Sequence, residues 1–343
     1  MPQTQPNPDR PRLALLLGDA SGVGPEMGVK LAARAANTQA ADMLLIADPH
    51  VLTSGEHIAG LQLDALRVTT LADVCFAPGR ITHWAYDGLG GQVPQMGNSN
   101  AASGRAAMLS LELAVQAVQA GVVQGIVFAP LNKHSLRLGG LAHEDELRHL
   151  QARLGVPGFV CEFNITQGLW TSRVTSHVPL RDVADLITPD AIADAVHIID
   201  RALRQAGVAA PRIAVSGLNP HAGDGGSIGQ EEIAVIAPTV ERLRAIGLDA
   251  RGPFSPDTVF IAARRGDFDA VVSMYHDQGQ IAMKLMGFEH GVTLHGGLPV
   301  PVATSASGSA FDIAGRGIAN VEGLQHAWDL CVRMAAGAAS ASG

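Results

Sequence analysis

The chain has 343 residues, of which 47% are apolar, 16% charged and 4% aromatic, with a formal net charge of −8. That balance is too apolar for a disordered protein, and an acidic chain without a lysine or arginine block does not suit nucleic acid as a partner. Cys75, Cys161 and Cys331 are far apart, which excludes a disulfide framework and a cysteine zinc site. With no apolar run of about 18 residues, the expectation is a cytoplasmic protein with no membrane partner.

Residues 1–11 are polar and proline-rich and are expected to form a disordered leader. Apolar runs at Leu13–Leu17, closed by Gly18, and at Met43–Ile46 predict buried strands. Further along, the spacing predicts a helix over Ala106–Ala120, a strand over Gly125–Ala129 and a helix over Asp190–Ala206. A strand over Ile213–Ser216, a helix over Glu231–Ile246 and a strand over Ala270–Met274 follow. Strands that read as continuous apolar runs and alternate with helices predict an α/β fold whose largely parallel sheet is covered on both faces. At about 150 residues per domain, the length predicts two domains.

In such sheets the loops leaving the C-terminal strand ends carry the ligand groups. Four of these loops hold the conspicuous glycines and histidines: Gly18–Glu26, Ala129–Lys133, Gly217–Gly226 and Tyr275–Gly279. The first lacks GxGxxG spacing. It reads either as a tight strand-to-helix turn or as a backbone surface that a ligand approaches closely, with Asp19 and Glu26 as its polar groups. His177, His221 and His276 stand in three separate strand-end loops. Three neutral imidazoles with an open position form a catalytic metal set, and imidazole suits Zn²⁺, Fe²⁺, Co²⁺ or Ni²⁺ better than Mg²⁺. Lys284 reads either as a solvent-facing lysine or as a proton-transfer group or anion partner in the same pocket.

The segments GDASGVGPE, APLNK, SHVPL, GLNPHAGDGG, GPFSPDTVF, YHDQGQIAMK, GGLPVP and FDIAGRG follow one another between about Leu13 and Ala335. Together they resemble the 4-hydroxythreonine-4-phosphate dehydrogenase family. The resemblance implies a two-domain α/β fold similar to isocitrate and isopropylmalate dehydrogenases, with an interdomain active-site cleft. The domains are then expected at residues 12–135 plus 295–343 and at residues 136–294, the second carrying the metal histidines and the dimer interface. It also implies a homodimer, NAD⁺ (or NADP⁺) as cofactor, and a divalent metal held by His177, His221 and His276 drawn from both subunits. Zinc is the first choice, with iron, cobalt or nickel as alternatives. Lys284 matches the family's substrate-contacting lysine and, with Asp277, is the candidate for moving the proton. Asp257, Thr258, Asp312 and Gly315 lie in stretches that the family places around the cofactor.

Two departures from the family pattern bear on the substrate. Thr293 stands where the family has a substrate-binding asparagine, and Val302 where it has the arginine that meets the phosphate. Valine cannot replace charge-assisted bonds worth roughly 1.5–3 kcal/mol each. The pocket is therefore expected to be similar to that of terephthalate cis-dihydrodiol dehydrogenase-type members. These carry out an NAD-linked oxidative decarboxylation of an aromatic cis-dihydrodiol carboxylate to protocatechuate. His143, Arg148 or His295 would then meet the distal carboxylate. The alternatives are a dehydrogenase of 4-hydroxythreonine-4-phosphate or of a 4-phospho-threonate and, in other classes, a phosphate acyltransferase-like enzyme or a non-catalytic metal-binding protein.

Overall fold

The structure, a computed structural model, describes residues 10–287 and 290–341. Residues 1–9 of the expected leader lie outside the described residues. Arg10, which follows them, sets its guanidinium 2.7 Å from Asp42 and donates to Ala41 O at 3.1 Å. The chain divides into two compact units, one running to Pro157 and resuming at Leu298, the other Gly158–Gly297.

Unit 1 holds β1 (Arg12–Leu16), β2 (Asp42–Ala47), β3 (Ala65–Val68), β4 (Ile81–Ala85) and β5 (Ile126–Phe128). Unit 2 holds β6 (Cys161–Thr166), β7 (Leu169–Arg173), β8 (Arg212–Ser216), β9 (Asp249–Phe254), β10 (Ala270–Ser273) and β11 (Val292–Gly296), after which β12 (Val302–Ser305) returns to unit 1.

The strands of unit 1 are all parallel, in the order β3-β4-β2-β1-β5-β12. Leu13–Leu16, Met43–Ile46 and Ile126–Phe128 are at most 1% exposed. With helices on both faces no side chain of these strands meets water, which is why each reads as an unbroken apolar run. The helix Ala101–Gln119 begins five residues before its predicted start, where Asn100 Oδ1 accepts from Ser103 N at 2.8 Å and caps it. Ser103 and Gly104 interrupt the apolar spacing there. A Cβ on Gly104 would lie 1.8 Å from Ser135 O, so the glycine lets this helix touch the helix Lys133–Leu138.

In unit 2 the order is β11-β6-β7-β10-β8-β9. Pairs from β7 to β9 are parallel, whereas β11/β6 and β6/β7 are antiparallel. The register sets Asn164 opposite both Thr293 and Thr171, and Glu162 opposite His295. Because side chains alternate along a strand, Glu162, Asn164, Thr171, Arg173, Thr293 and His295 share one polar face. The helix predicted over Asp190–Ala206 is observed as Pro189–Gln205, capped by Thr188. That predicted over Glu231–Ile246 is broken into a π turn, Glu232–Ile236, and a helix, Ala237–Ala245. Pro238 has no N–H to offer Ala234 O, so the regular ladder cannot pass through it. Among the described residues no helix is long and apolar enough to cross a membrane.

Candidate active site

β7, β10 and β8 are neighbouring parallel strands, so the loops at their C-terminal ends lie side by side. His177 follows β7, His276 follows β10 and His221 follows β8. The rings of His177 and His276 have centroids 5.7 Å apart and are tilted by 45°. A run of hydrogen bonds ties the three loops together. Thr175 donates to Met274 O through its N at 3.1 Å and its Oγ1 at 2.8 Å. Met274 N donates to Gln278 Oε1 at 2.7 Å, and Gln278 Nε2 donates to Gly217 O at 2.9 Å. Beyond Gly217, Leu218 N and Asn219 N both donate to Glu232 Oε1, at 2.8 and 2.7 Å.

Two of the three candidate ligands are spaced as a divalent metal requires. Two imidazoles on one tetrahedral ion, with metal–nitrogen distances of about 2.0–2.1 Å, put their ring centroids about 5 Å apart. His177 and His276 are close to that spacing. His276 Nδ1 meets Asp277 Oδ1 at 2.8 Å, which fixes the ring and turns Nε2 toward whatever ligand the loop meets. His221 is exposed at the end of its loop. The Ser255 hydroxyl, bonded at 2.6 Å, holds the Asp257 carboxyl below the ordinary aspartate value, and His221 pulls it in the same direction more weakly. Thr258, next to Asp257, opens the helix Val259–Arg264.

His276, Gln280 and Lys284 follow one another at four-residue spacing on the helix His276–Gly287 and share a face. Gln280 Nε2 donates to Asn164 Oδ1, which seats this face on the polar side of β6. Asn164 Nδ2 also donates to Thr293 Oγ1 at 3.4 Å. Arg173, only 4% exposed, donates to Glu162 Oε2 at 2.9 Å, Asn164 Oδ1 at 3.1 Å and Ser176 Oγ at 2.6 Å. His295 is 2% exposed on the same sheet face. The sequence reading missed Glu162, Asn164, Arg173, Glu232 and Gln278. Its one available signal was the alternation of polar side chains in CEFNIT and LWTSR.

The remaining expected site residues lie in unit 1. His143 is exposed and its ring sits 5.6 Å from that of His149. Arg148 donates to Gln151 Oε1 at 3.0 Å. Asp312 and Gly315 are exposed in the turns after β12. Val302 is 0% exposed, pairs with Ile126 and belongs to the hydrophobic core with Phe128 and Leu44. The loop Gly18–Glu26 is a packed turn. Asp19 is 1% exposed and accepts from Ser21 N at 2.8 Å; burial raises its pKa, against the bonds from Ser135 and Ser21. Glu26 accepts from Lys30 Nζ at 2.6 Å and Ala319 N at 2.7 Å.

The family model of the pyridoxal phosphate biosynthetic protein PdxA matches residues 39–331. A Pseudomonas aeruginosa protein, provisionally named 4-hydroxythreonine-4-phosphate dehydrogenase 2, is 46% identical over 95% of this chain and 98% of its own length. A 4-hydroxythreonine-4-phosphate dehydrogenase of Stenotrophomonas maltophilia is 38% identical over 95% and 98% of the two chains. The crystal structure of 4-hydroxythreonine-4-phosphate dehydrogenase from Klebsiella pneumoniae is similar with a TM-score of 0.81 and 33% identity, covering 95% of this chain and 98% of that one.

These relatives overturn the expected aromatic cis-dihydrodiol substrate and, with it, a role in aromatic catabolism. A terephthalate 1,2-cis-dihydrodiol dehydrogenase from Burkholderia xenovorans LB400 is similar at 28% identity with a TM-score of 0.68, over 94% of this chain and 98% of that one. The expectation rested on Thr293 and Val302, and the burial of Val302 supplies a physical reason for the error. A side chain packed in the core answers to the core, so the missing arginine there says nothing about the substrate. No distal carboxylate then remains for His143, Arg148 or His295 to meet. A family match over most of the chain, joined to relatives at 38% and 46% identity, shows that the chain belongs to the PdxA family and is a dehydrogenase acting on a CH–OH group.

Proposed function

We propose that this chain oxidises the secondary hydroxyl of 4-hydroxythreonine-4-phosphate, with a divalent metal at His177, His221 and His276 and NAD⁺ as the hydride acceptor. The observation that carries the reading is the His177–His276 pair at 5.7 Å, whose loops are bonded to each other and to the loop of His221. Zinc suits a set of three imidazoles best. When bound, the metal supplies Lewis acidity toward the substrate hydroxyl, and the nicotinamide accepts hydride.

The chain's own residues then orient the substrate and move protons. Asp277 is engaged with His276, so it sets that ring rather than serving as the base. Lys284 lies on the same helix face as His276, where its Nζ either takes the hydroxyl proton as the neutral amine or, as the ammonium, faces an anionic substrate. Oxidation beta to the carboxylate gives a β-keto acid. Loss of CO₂ leaves the bonding electron pair on the α-carbon, and reprotonation there yields the amino ketone phosphate. The family likeness supports Asp257, Thr258, Asp312 and Gly315 as the candidate cofactor contacts. Leu180, Ile281 and Leu285 are 70%, 61% and 84% exposed, and this apolar surface supports a homodimer through unit 2.

NADH formation with 4-hydroxythreonine-4-phosphate and with 4-phospho-threonate, measured side by side, tests the substrate. Turnover of the first is expected, with loss of activity in His276→Ala. Oxidation of 4-phospho-threonate alone overturns the substrate, and full activity in His276→Ala overturns the metal site.

A further inference from the structure

We infer that Glu232 is a positioning residue: it holds the loop that presents His221 in its ligating conformation and so sets how tightly the chain binds its divalent metal. The inference rests on the metal reading of the three histidines. Five consecutive residues of that loop, His221, Ala222, Gly223, Asp224 and Gly225, have φ of 52°, 52°, 81°, 43° and 64°. A left-handed conformation disfavours a non-glycine residue by roughly 1–2 kcal/mol, and His221, Ala222 and Asp224 all carry that cost. Such a segment persists only when its surroundings hold it.

Glu232 supplies the hold. Its side chain is buried at 3% exposure and reaches the loop from the π turn Glu232–Ile236. Oε1 accepts from Leu218 N and Asn219 N, and Oε2 accepts from Asn219 Nδ2 at 2.9 Å. The carboxylate thus grips the two residues that lead into Pro220 and His221. On the far side of the histidine, a Cβ at Gly223 would lie 2.7 Å from Glu232 Oε2, so glycine there lets the loop close over the carboxylate. Both flanks of His221 are therefore set against one side chain. Outer groups that orient a metal ligand commonly change affinity by about 10–100-fold.

The test uses the full chain stripped of metal, with Zn²⁺ affinity read by competition against a chromophoric chelator and folding followed by circular dichroism and thermal melting. Glu232→Gln keeps the size of the side chain and one acceptor for the two backbone N–H groups but turns a donor toward Asn219 Nδ2. Glu232→Ala removes all three bonds. The expected result is Zn²⁺ affinity weakened about 10–100-fold in Glu232→Gln at temperatures well below its melting point. Its kcat should return at saturating Zn²⁺ with substrate KM unchanged. Parental affinity in both variants, whether or not the melting temperature falls, overturns the inference and leaves Glu232 a purely structural residue. His221→Ala separates the two layers of the argument. Unchanged affinity there overturns the metal reading itself, whereas affinity lost in His221→Ala and kept in Glu232→Gln overturns only the role of Glu232.

Discussion

The loop Gly18–Glu26 of unit 1 and the loop Gly217–Gly226 of unit 2 both follow parallel strands and are both rich in glycine, yet they use glycine for different ends. In the first, a Cβ on Gly24 would lie 2.3 Å from Leu17 O, and Asp19 and Glu26 are each 1% exposed, with Asp19 Oδ1 and Glu26 Oε1 bonded inside the unit. Glycine there permits close packing. In the second, Gly225 has φ +64° with nothing within 4 Å of a Cβ, and His221 stands exposed. Glycine there permits a backbone conformation that carries a side chain outward. The comparison teaches that glycine after a strand can serve close packing at one position and an outward-turned, left-handed backbone at another.

The largest effect separates the two loops directly. Gly24→Ala must push a Cβ into a backbone carbonyl and should cost about 3–5 kcal/mol or prevent folding, whereas Gly225→Ala should cost about 1 kcal/mol. Equal losses in denaturant unfolding break the comparison. Next in size, Asp277→Asn should weaken Zn²⁺ binding about 10–100-fold with little change in melting temperature, because Asp277 is exposed and acts through His276. Unchanged Zn²⁺ affinity contradicts that link.

Two smaller effects concern pH. Burial raises the Asp19 pKa above the ordinary 3.8, so the folded chain holds this proton more strongly than the unfolded chain does. Its contribution to stability therefore falls as pH rises from about that value through the raised one. Asp19→Asn should lack this decline, and the gap between variant and parent should widen in the variant's favour on going to neutral pH. His83, 4% exposed with its Nε2 2.9 Å from Ala47 O, has its pKa lowered by burial. The unfolded chain binds that proton first, so stability present above pH 6.5 is lost as pH falls through the interval down to the lowered value. His83→Gln should flatten this acid limb, and an unchanged limb counts against the buried neutral imidazole.

Legibility in the sequence followed the same division. Leu13–Leu17, Met43–Ile46, Gly125–Ala129, Ile213–Ser216 and Ala270–Met274 announce strands because water reaches neither of their faces. β6, β7 and β11 stayed hidden because every second residue contributes to the polar face of Glu162, Asn164, Arg173, Thr293 and His295. The histidines of the three loops stood out by their settings, and the structure places all three at adjacent strand ends. Gln278 and Glu232, which tie those ends together, left no mark in the sequence, since their roles depend on hydrogen bonds to backbone groups far along the chain. Val302 misled in the opposite way: a substitution read as a change of substrate is a residue of the core.

The central claim is that a metal at the three histidines enables oxidation of a phosphorylated hydroxy acid. It is tested most directly by the initial rate of NADH formation from 4-hydroxythreonine-4-phosphate, measured on the metal-stripped chain and again after stoichiometric Zn²⁺ is restored. The account predicts no measurable rate before and full activity after. A rate that is the same without the metal, or absent with it, contradicts the account.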